Sequence, residues 1–319
     1  MLGRLARKNE SVSFALCAAL VAALSIASDV FYTRANLNSL QASIAPTAIM
    51  AFGMMICLIC GYFDLSIGSI MLLAGLLSGK FNDWGFSTPW IVLCVLVAGL
   101  LAGCLNGLLV AVLKINALIA TIGVQYIGYG FAMTLWDRNM QHRKFPADFI
   151  AMGDGQFLGM YYMIWVMLAI LAGFSFFLKY SSSGRRLYYV GGNREASRLI
   201  GFNDRRIIFL CYAVTGLLAA LAGVLAVARI QSPTQYMGGG VHMTCMIACV
   251  IGGGSFAGGK GSAVGAALGV AFMSLLTNMF NLLEMNTQLQ NVVVGLTLIA
   301  VIVIDGYLNL KKMRAMGKI

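Results

Sequence analysis

The chain alternates long apolar runs with short polar joints from one end to the other. Apolar segments cover residues 12–28, 37–62, 66–79, 88–113, 116–136, 157–178, 207–228, 242–254, 261–283 and 287–304. Several hold the ~18 or more uncharged residues that let a helix cross a hydrocarbon core. The pattern predicts an all-α, polytopic membrane protein of about ten transmembrane helices, forming one transmembrane domain over residues 1–319. Two segments, 66–79 and 242–254, are short and broken by glycine. Such pieces are tolerated at membrane depth only inside protein or beside a cavity. The first run follows Arg4, Arg7 and Lys8 and ends near Ala27 and Ser28, as a secretory leader does. It is longer than most leader cores, so a retained first helix is expected.

Composition closes off the soluble classes. The chain is 60% hydrophobic and only 10% charged, with mean hydropathy +0.85, whereas soluble domains carry about 25% charged residues. A net charge of +11 does not point to nucleic acid, because no basic face is interleaved with exposed aromatics. It points to orientation. If residue 1 is cytoplasmic and all ten segments cross, the inner joints carry 16 of the 22 basic residues, from Arg4 to Lys318. The outer joints carry the other six: Arg34, Lys80, Arg138, Arg143, Lys144 and Arg229. Basic residues gather on the cytoplasmic side, which predicts both termini there. The eight cysteines all lie in apolar segments, and the Cys57-x-x-Cys60 pair has no second pair or histidine near it. Small core hydrophobes are expected, and no metal site.

Two joints are long: 137–156 on the outer side and 179–206 on the inner side. Within the inner one, Asn193 can cap a short helix over 194–200 and Gly201 can end it. Glu195 and Arg198 stand three apart, a spacing that allows an ion pair. Ala196, Leu199 and Ile200 supply an apolar stripe. So short a helix is not stable alone, so it is expected to dock on something.

Here the sequence becomes specific. "YYVGGNREASRLIGF" resembles the cytoplasmic coupling loop of the ribose-type ATP-binding-cassette (ABC) sugar importer permeases. "GYFDLSIGSIM" (Gly61–Met71), "LKINALIATIG" (Leu113–Gly123), "GLLAALAGVLAVARIQS" (Gly216–Ser232) and "IACVIGGGSFAGGKGSAVGAALG" (Ile247–Gly269) are similar to further elements of that family, in the same order. The chain departs from the family pattern at Tyr62-Phe63, where a small or aliphatic pair is usual, and in 236–246, which has His242-Met243 and lacks the acidic residue often found there. The resemblance implies a ten-helix permease of the bacterial inner membrane, taking up a monosaccharide or similar small solute. It implies three partners: an ABC ATPase that holds ATP and Mg, a periplasmic substrate-binding protein, and a second permease subunit, identical or sister. It places ATPase coupling on Asn193, Arg194, Glu195, Arg198 and Gly201, and no cofactor on this chain. Membrane lipid is the remaining partner, and nucleic acid is not one.

The stretch "IGGGSFAGGKGS" (Ile251–Ser262) imitates a phosphate cradle, with Gly254, four residues, then Gly259-Lys260. A true P-loop needs Ser or Thr directly after the lysine, to bind Mg²⁺, and a preceding β-strand. Gly261 stands there instead, after an apolar helix, so no enzyme activity is expected of this chain. Gly252, Gly253, Gly254, Gly258, Gly259 and Gly261 are read as a break or gating joint between two helices, and Gly261-x3-Gly265-x3-Gly269 as a close-packing stripe.

Asp64, Ser66 and Ser69 form a second break, with Asp64 able to cap the following helix. Asn106, Asn116, Thr121, Gln125, Tyr126 and Asn278 are polar within apolar runs and are weak candidates for a solute path. The alternative function is an ion-coupled secondary transporter, which would usually carry paired ionisable residues at mid-membrane depth. None are found here.

Overall fold

The computed structural model describes residues 2–142 and 144–315, so Arg143 and Lys318 of the charge count lie outside the described residues. Among the described residues, thirteen α-helices account for most of the chain. They are α1 (Leu2–Ala27), α2 (Arg34–Ile59), α3 (Ile67–Asp83), α4 (Thr88–Gly107), α5 (Ala117–Leu135), α6 (Ala147–Asp154), α7 (Tyr162–Tyr180), α8 (Ser182–Gly192), α9 (Arg194–Leu199), α10 (Asp204–Ile230), α11 (Val241–Ile251), α12 (Ala263–Leu282) and α13 (Thr287–Ala315). A π-helical turn, Leu108–Val112, extends α4, and a 3₁₀ turn, Arg138–His142, precedes α6.

Eight helices (α1, α2, α4, α5, α7, α10, α12 and α13) are long and apolar enough to cross a membrane. α3 and α11 are shorter and complete the ten expected segments. α2 and α10 form the centre, with 78% and 67% of their apolar windows buried, whereas α1, α5, α7 and α13 leave most of theirs exposed. A face that packs on no protein in a membrane chain meets lipid or another subunit.

The central packing depends on glycine. Gly99 and Gly103 of α4 lie against Ala220, Gly216 and Tyr212 of α10 so closely that an added Cβ would overlap them. Van der Waals contact between backbones replaces the hydrophobic drive that lipid cannot supply. The stripe expected on α12 is partly there. Gly265 and Gly269 pack on Gly252 and Ala248 of α11, but Gly261 lies before the helix with φ +143° and faces Met55 and Ile59.

α1 packs along α12, where Cys17 Sγ donates to Leu268 O at 3.4 Å, and reaches the end of α11, where Ser13 Oγ donates to Ile251 O at 2.8 Å. The expected first helix is therefore part of the bundle. Two expectations need correction. The sixth segment begins at Tyr162, not 157, because Gln156–Phe157 and Met160–Tyr161 form a two-stranded hairpin. Leu158 and Gly159, both at positive φ, make its turn. The inner joint is largely helical. Ser181 Oγ accepts from Ser183 N to start α8, and Leu187 and Val190 bury one side of it.

Candidate functional site

α9 forms as its end signals require. Asn193 Oδ1 accepts from Ala196 N at 3.0 Å, and Gly201, at φ +84°, closes the helix with its N–H on Arg198 O at 2.9 Å. The expected Glu195–Arg198 pair gives way to a longer-range one. Arg198 donates through Nε (3.0 Å) and Nη2 (2.6 Å) to Asp204 Oδ2 at the start of α10. A forked guanidinium fits a carboxylate better across the loop than an i,i+3 partner fits along one short helix. Of the apolar stripe, Leu199 is 88% exposed and Ile200 61%. Among the described residues nothing covers the stripe.

Below α9 lies a junction of three separate chain segments. Gly259 N donates to Ile59 O at 2.8 Å, tying the glycine-rich stretch to the end of α2. Gly191, on α8, lies against both atoms, and an added Cβ there would overlap Ile59 O. Gly258, at φ +80°, lies against Gly191 O and Gly61. Only glycine allows main chain to meet main chain this closely at that dihedral. Side chains brace the junction. Tyr188 Oη donates to Gly261 O at 2.9 Å, and the Arg194 guanidinium sits 4.4 Å over the Tyr62 ring. Phe63 meets Phe256 edge to face at 6.2 Å.

The glycine-rich stretch is anchored from both termini of the bundle. Ser255 Oγ donates to both Asp305 carboxylate oxygens at 3.0 Å, and Phe256 N reaches one of them at 3.3 Å. Ser262 Oγ donates to Glu10 at 2.6 Å while it accepts from Gly265 N to cap α12. The amides that a phosphate cradle would present are engaged otherwise. Those of Gly254, Gly258 and Gly259 donate to the carbonyls of Cys249, Ser255 and Ile59. Gly252 and Gly253 close the end of α11, donating to Ala248 O and Val250 O.

The second break sits beside this junction. Asp64 is fully buried in the turn between α2 and α3. Its Oδ1 accepts from Ser66 N (2.9 Å) and Ser66 Oγ (2.7 Å), and Asn106 Nδ2 lies 3.3 Å from both oxygens. Burial pushes the Asp64 carboxyl up to about 6 in spite of the hydrogen bonds from Ser66 and Asn106. Ser69 Oγ donates to Ser66 O within the first turn of α3.

The six weak path candidates do not gather in one place. Asn106 holds Asp64 and Ser66, and Asn116 caps α5 through Leu118 N. Thr121 bonds back to Ala117 O. Asn278 exchanges hydrogen bonds with Asn36. Gln125 Nε2 lies 3.4 Å from His242 Nδ1, and Tyr126 is largely exposed. Sequence reasoning missed Glu10, Tyr188, Asp204 and Asp305 as parts of the site. Glu10 and Asp305 stand as lone acids at the borders of the first and last apolar runs, which was the available signal. Among the described residues no group of three or more His, Cys, Asp or Glu could hold a metal ion.

A multi-pass α-helical bundle with two breaks meeting at α8, next to a capped short helix with an exposed apolar end, has the build expected of a membrane permease. The comparisons with known proteins agree. Residues 36–302 match the model of a family described as the permease component of branched-chain amino acid transport systems, and the chain belongs to that family. It is 31% identical over 307 residues to the ribose import permease protein RbsC of Haemophilus influenzae, covering 95% of each chain. To the RbsC of Escherichia coli K12 it is 32% identical over 289 residues, 90% of each chain. To the autoinducer 2 import system permease protein LsrC of Escherichia coli it is 32% identical over 261 residues, 82% of this chain and 76% of that one. These likenesses bear out the ribose-type ABC permease resemblance and favour it over an ion-coupled transporter. No solved structure shows a significant match to the chain.

Proposed function

We propose that this chain is the transmembrane permease subunit of an ABC importer in the bacterial inner membrane, passing a monosaccharide or a similarly small polar solute. The names of the relatives, ribose and autoinducer 2 permeases, support that solute class. In this reading the end carrying α9 faces the cytoplasm, which the excess of basic residues on that side supports. A separate ATPase subunit, holding ATP and Mg, seats on α9. A periplasmic binding protein delivers solute at the opposite end, near α6, and a second permease subunit completes the passage. ATP turnover belongs to the partner, in keeping with glycine amides already engaged by protein carbonyls.

One observation carries this proposal. Leu199 and Ile200 project at the end of a helix that follows directly on α8, and the C-terminal Gly191 of α8 rests main chain on main chain against Ile59 and Gly259, while Arg194 of α9 covers Tyr62. A partner that grips the stripe therefore moves both breaks. The Leu199→Glu variant places a charge where no contact within the chain is lost. It should insert and fold as wild type, while solute uptake and co-purification of the ATPase fall by at least about tenfold, the scale for an interface anchor. Undiminished uptake with the ATPase still bound would refute the proposal.

A further inference from the structure

α7 and α10 both pack on α2 but make few contacts with each other. Between them runs a crevice of about 630 Å³. Phe174 and Phe177 of α7 face Leu210, Val214 and Leu218 of α10, with Ile56 of α2 as the floor. At one end the lining changes character, and Arg186 of α8 and Arg206 of α10 enter it beside Ser183. Arg186 stacks 5.2 Å from the Phe202 ring. Among the described residues neither guanidinium pairs with a carboxylate.

From Arg206 to Leu218 the crevice follows α10 for ~18 Å at 1.5 Å per residue, close to half of a ~30 Å hydrocarbon core. That is the depth of one leaflet. An apolar slot one leaflet deep, with two cations at its headgroup end, matches one acyl tail in length and an anionic headgroup in charge. Each such cation near a bilayer surface adds an attraction large enough to sort lipids by charge. Neutral lipid would fill the slot equally well with its tails and gain nothing from the arginines.

We infer that the α7–α10 crevice is a binding site for one anionic phospholipid, with Arg186 and Arg206 holding its phosphate and the apolar walls holding a tail. The site depends on the bilayer-spanning fold, but not on the solute or on ATPase coupling, so it stands or falls independently of the Leu199→Glu result.

The test uses the full chain in detergent, incubated with phosphatidylglycerol or phosphatidylcholine of the same chain length and examined by native mass spectrometry. Wild type should retain one phosphatidylglycerol with at least about tenfold preference over phosphatidylcholine. Arg186→Gln/Arg206→Gln should lose that preference yet still retain either lipid weakly. Gly173 lines the crevice with open space before it, so Gly173→Leu should keep the fold and lose both lipids. Equal retention of the two lipids by wild type would overturn the inference, as would an unchanged preference in the double variant or unchanged retention in Gly173→Leu. So would efficient disulfide crosslinking between copies through Leu210→Cys, which would give the crevice to a second chain.

Discussion

Asp64 is a full carboxylate group taken out of water, and what surrounds it determines whether the turn between α2 and α3 holds. Removing its oxygens leaves the Ser66 amide, the Ser66 hydroxyl and the Asn106 amide without their shared acceptor. A buried donor left unmet costs about 1–3 kcal/mol. Asp64→Ala should therefore lower the thermal midpoint of the purified protein and its yield in membranes, while Asp64→Asn, which keeps an acceptor oxygen, should stay near wild type. The two variants also separate charge from shape. The carboxyl is raised from an ordinary 3.8 to about 6 in the fold. Its contribution to stability is fully present below the unfolded value and is lost as pH rises through about 6. Measured from pH 4 to 7, the thermal midpoint of wild type should fall relative to that of Asp64→Asn. A constant difference would show that Asp64 does not titrate there. The helix cap was legible in the sequence, since Asp64 and Ser66 are near neighbours. Asn106 was not, because only the packing of α4 brings it 42 positions back along the chain.

At the scale of elements, the most extensive contact between two described helices is that of α4 with α10. Gly103→Leu would drive a side chain into Tyr212 and Ala213 of α10. Overpacking of this kind costs about 1–3 kcal/mol or more, so the variant should lose thermal stability in detergent, whereas Gly123→Leu on α5, with open space before it, should not. The existence of the ten apolar helices was readable from apolar length, and the positions of these spans held to within a few residues. Boundaries failed where local chemistry outranked hydropathy. The hairpin at 156–161 is apolar enough to be mistaken for helix, but Leu158-Gly159 turns the chain. α8 was hidden for the opposite reason. Its glycines and arginines read as loop, although Leu187 and Val190, three apart, mark a buried side. The small-residue spacing recognised on α12 also occurs at Gly99, Gly103 and Gly107 of α4, where it went unread.

For the whole molecule, orientation is the property most open to direct measurement. Tyr236, 80% exposed, lies in the joint between α10 and α11, at the end opposite α9. With Tyr236→Cys, a membrane-impermeant maleimide should label intact spheroplasts. With Leu199→Cys, labelling should appear only after lysis. The reverse pattern would invert the protein in its membrane and remove the ATPase from α9. Most of the architecture was legible because lipid allows so few ways of satisfying a backbone. The convergence of residues 59–64, 188–194 and 252–262 was not, since main-chain hydrogen bonds and missing Cβ atoms leave no sequence period. That convergence has a consequence for transport. Side chains can swing aside and absorb a small push, but polypeptide resting on polypeptide has no slack to take up. On the function proposed above, a pull on any one of these three segments is expected to drag the other two with it, leaving the passage no stable half-turned position through which solute would leak.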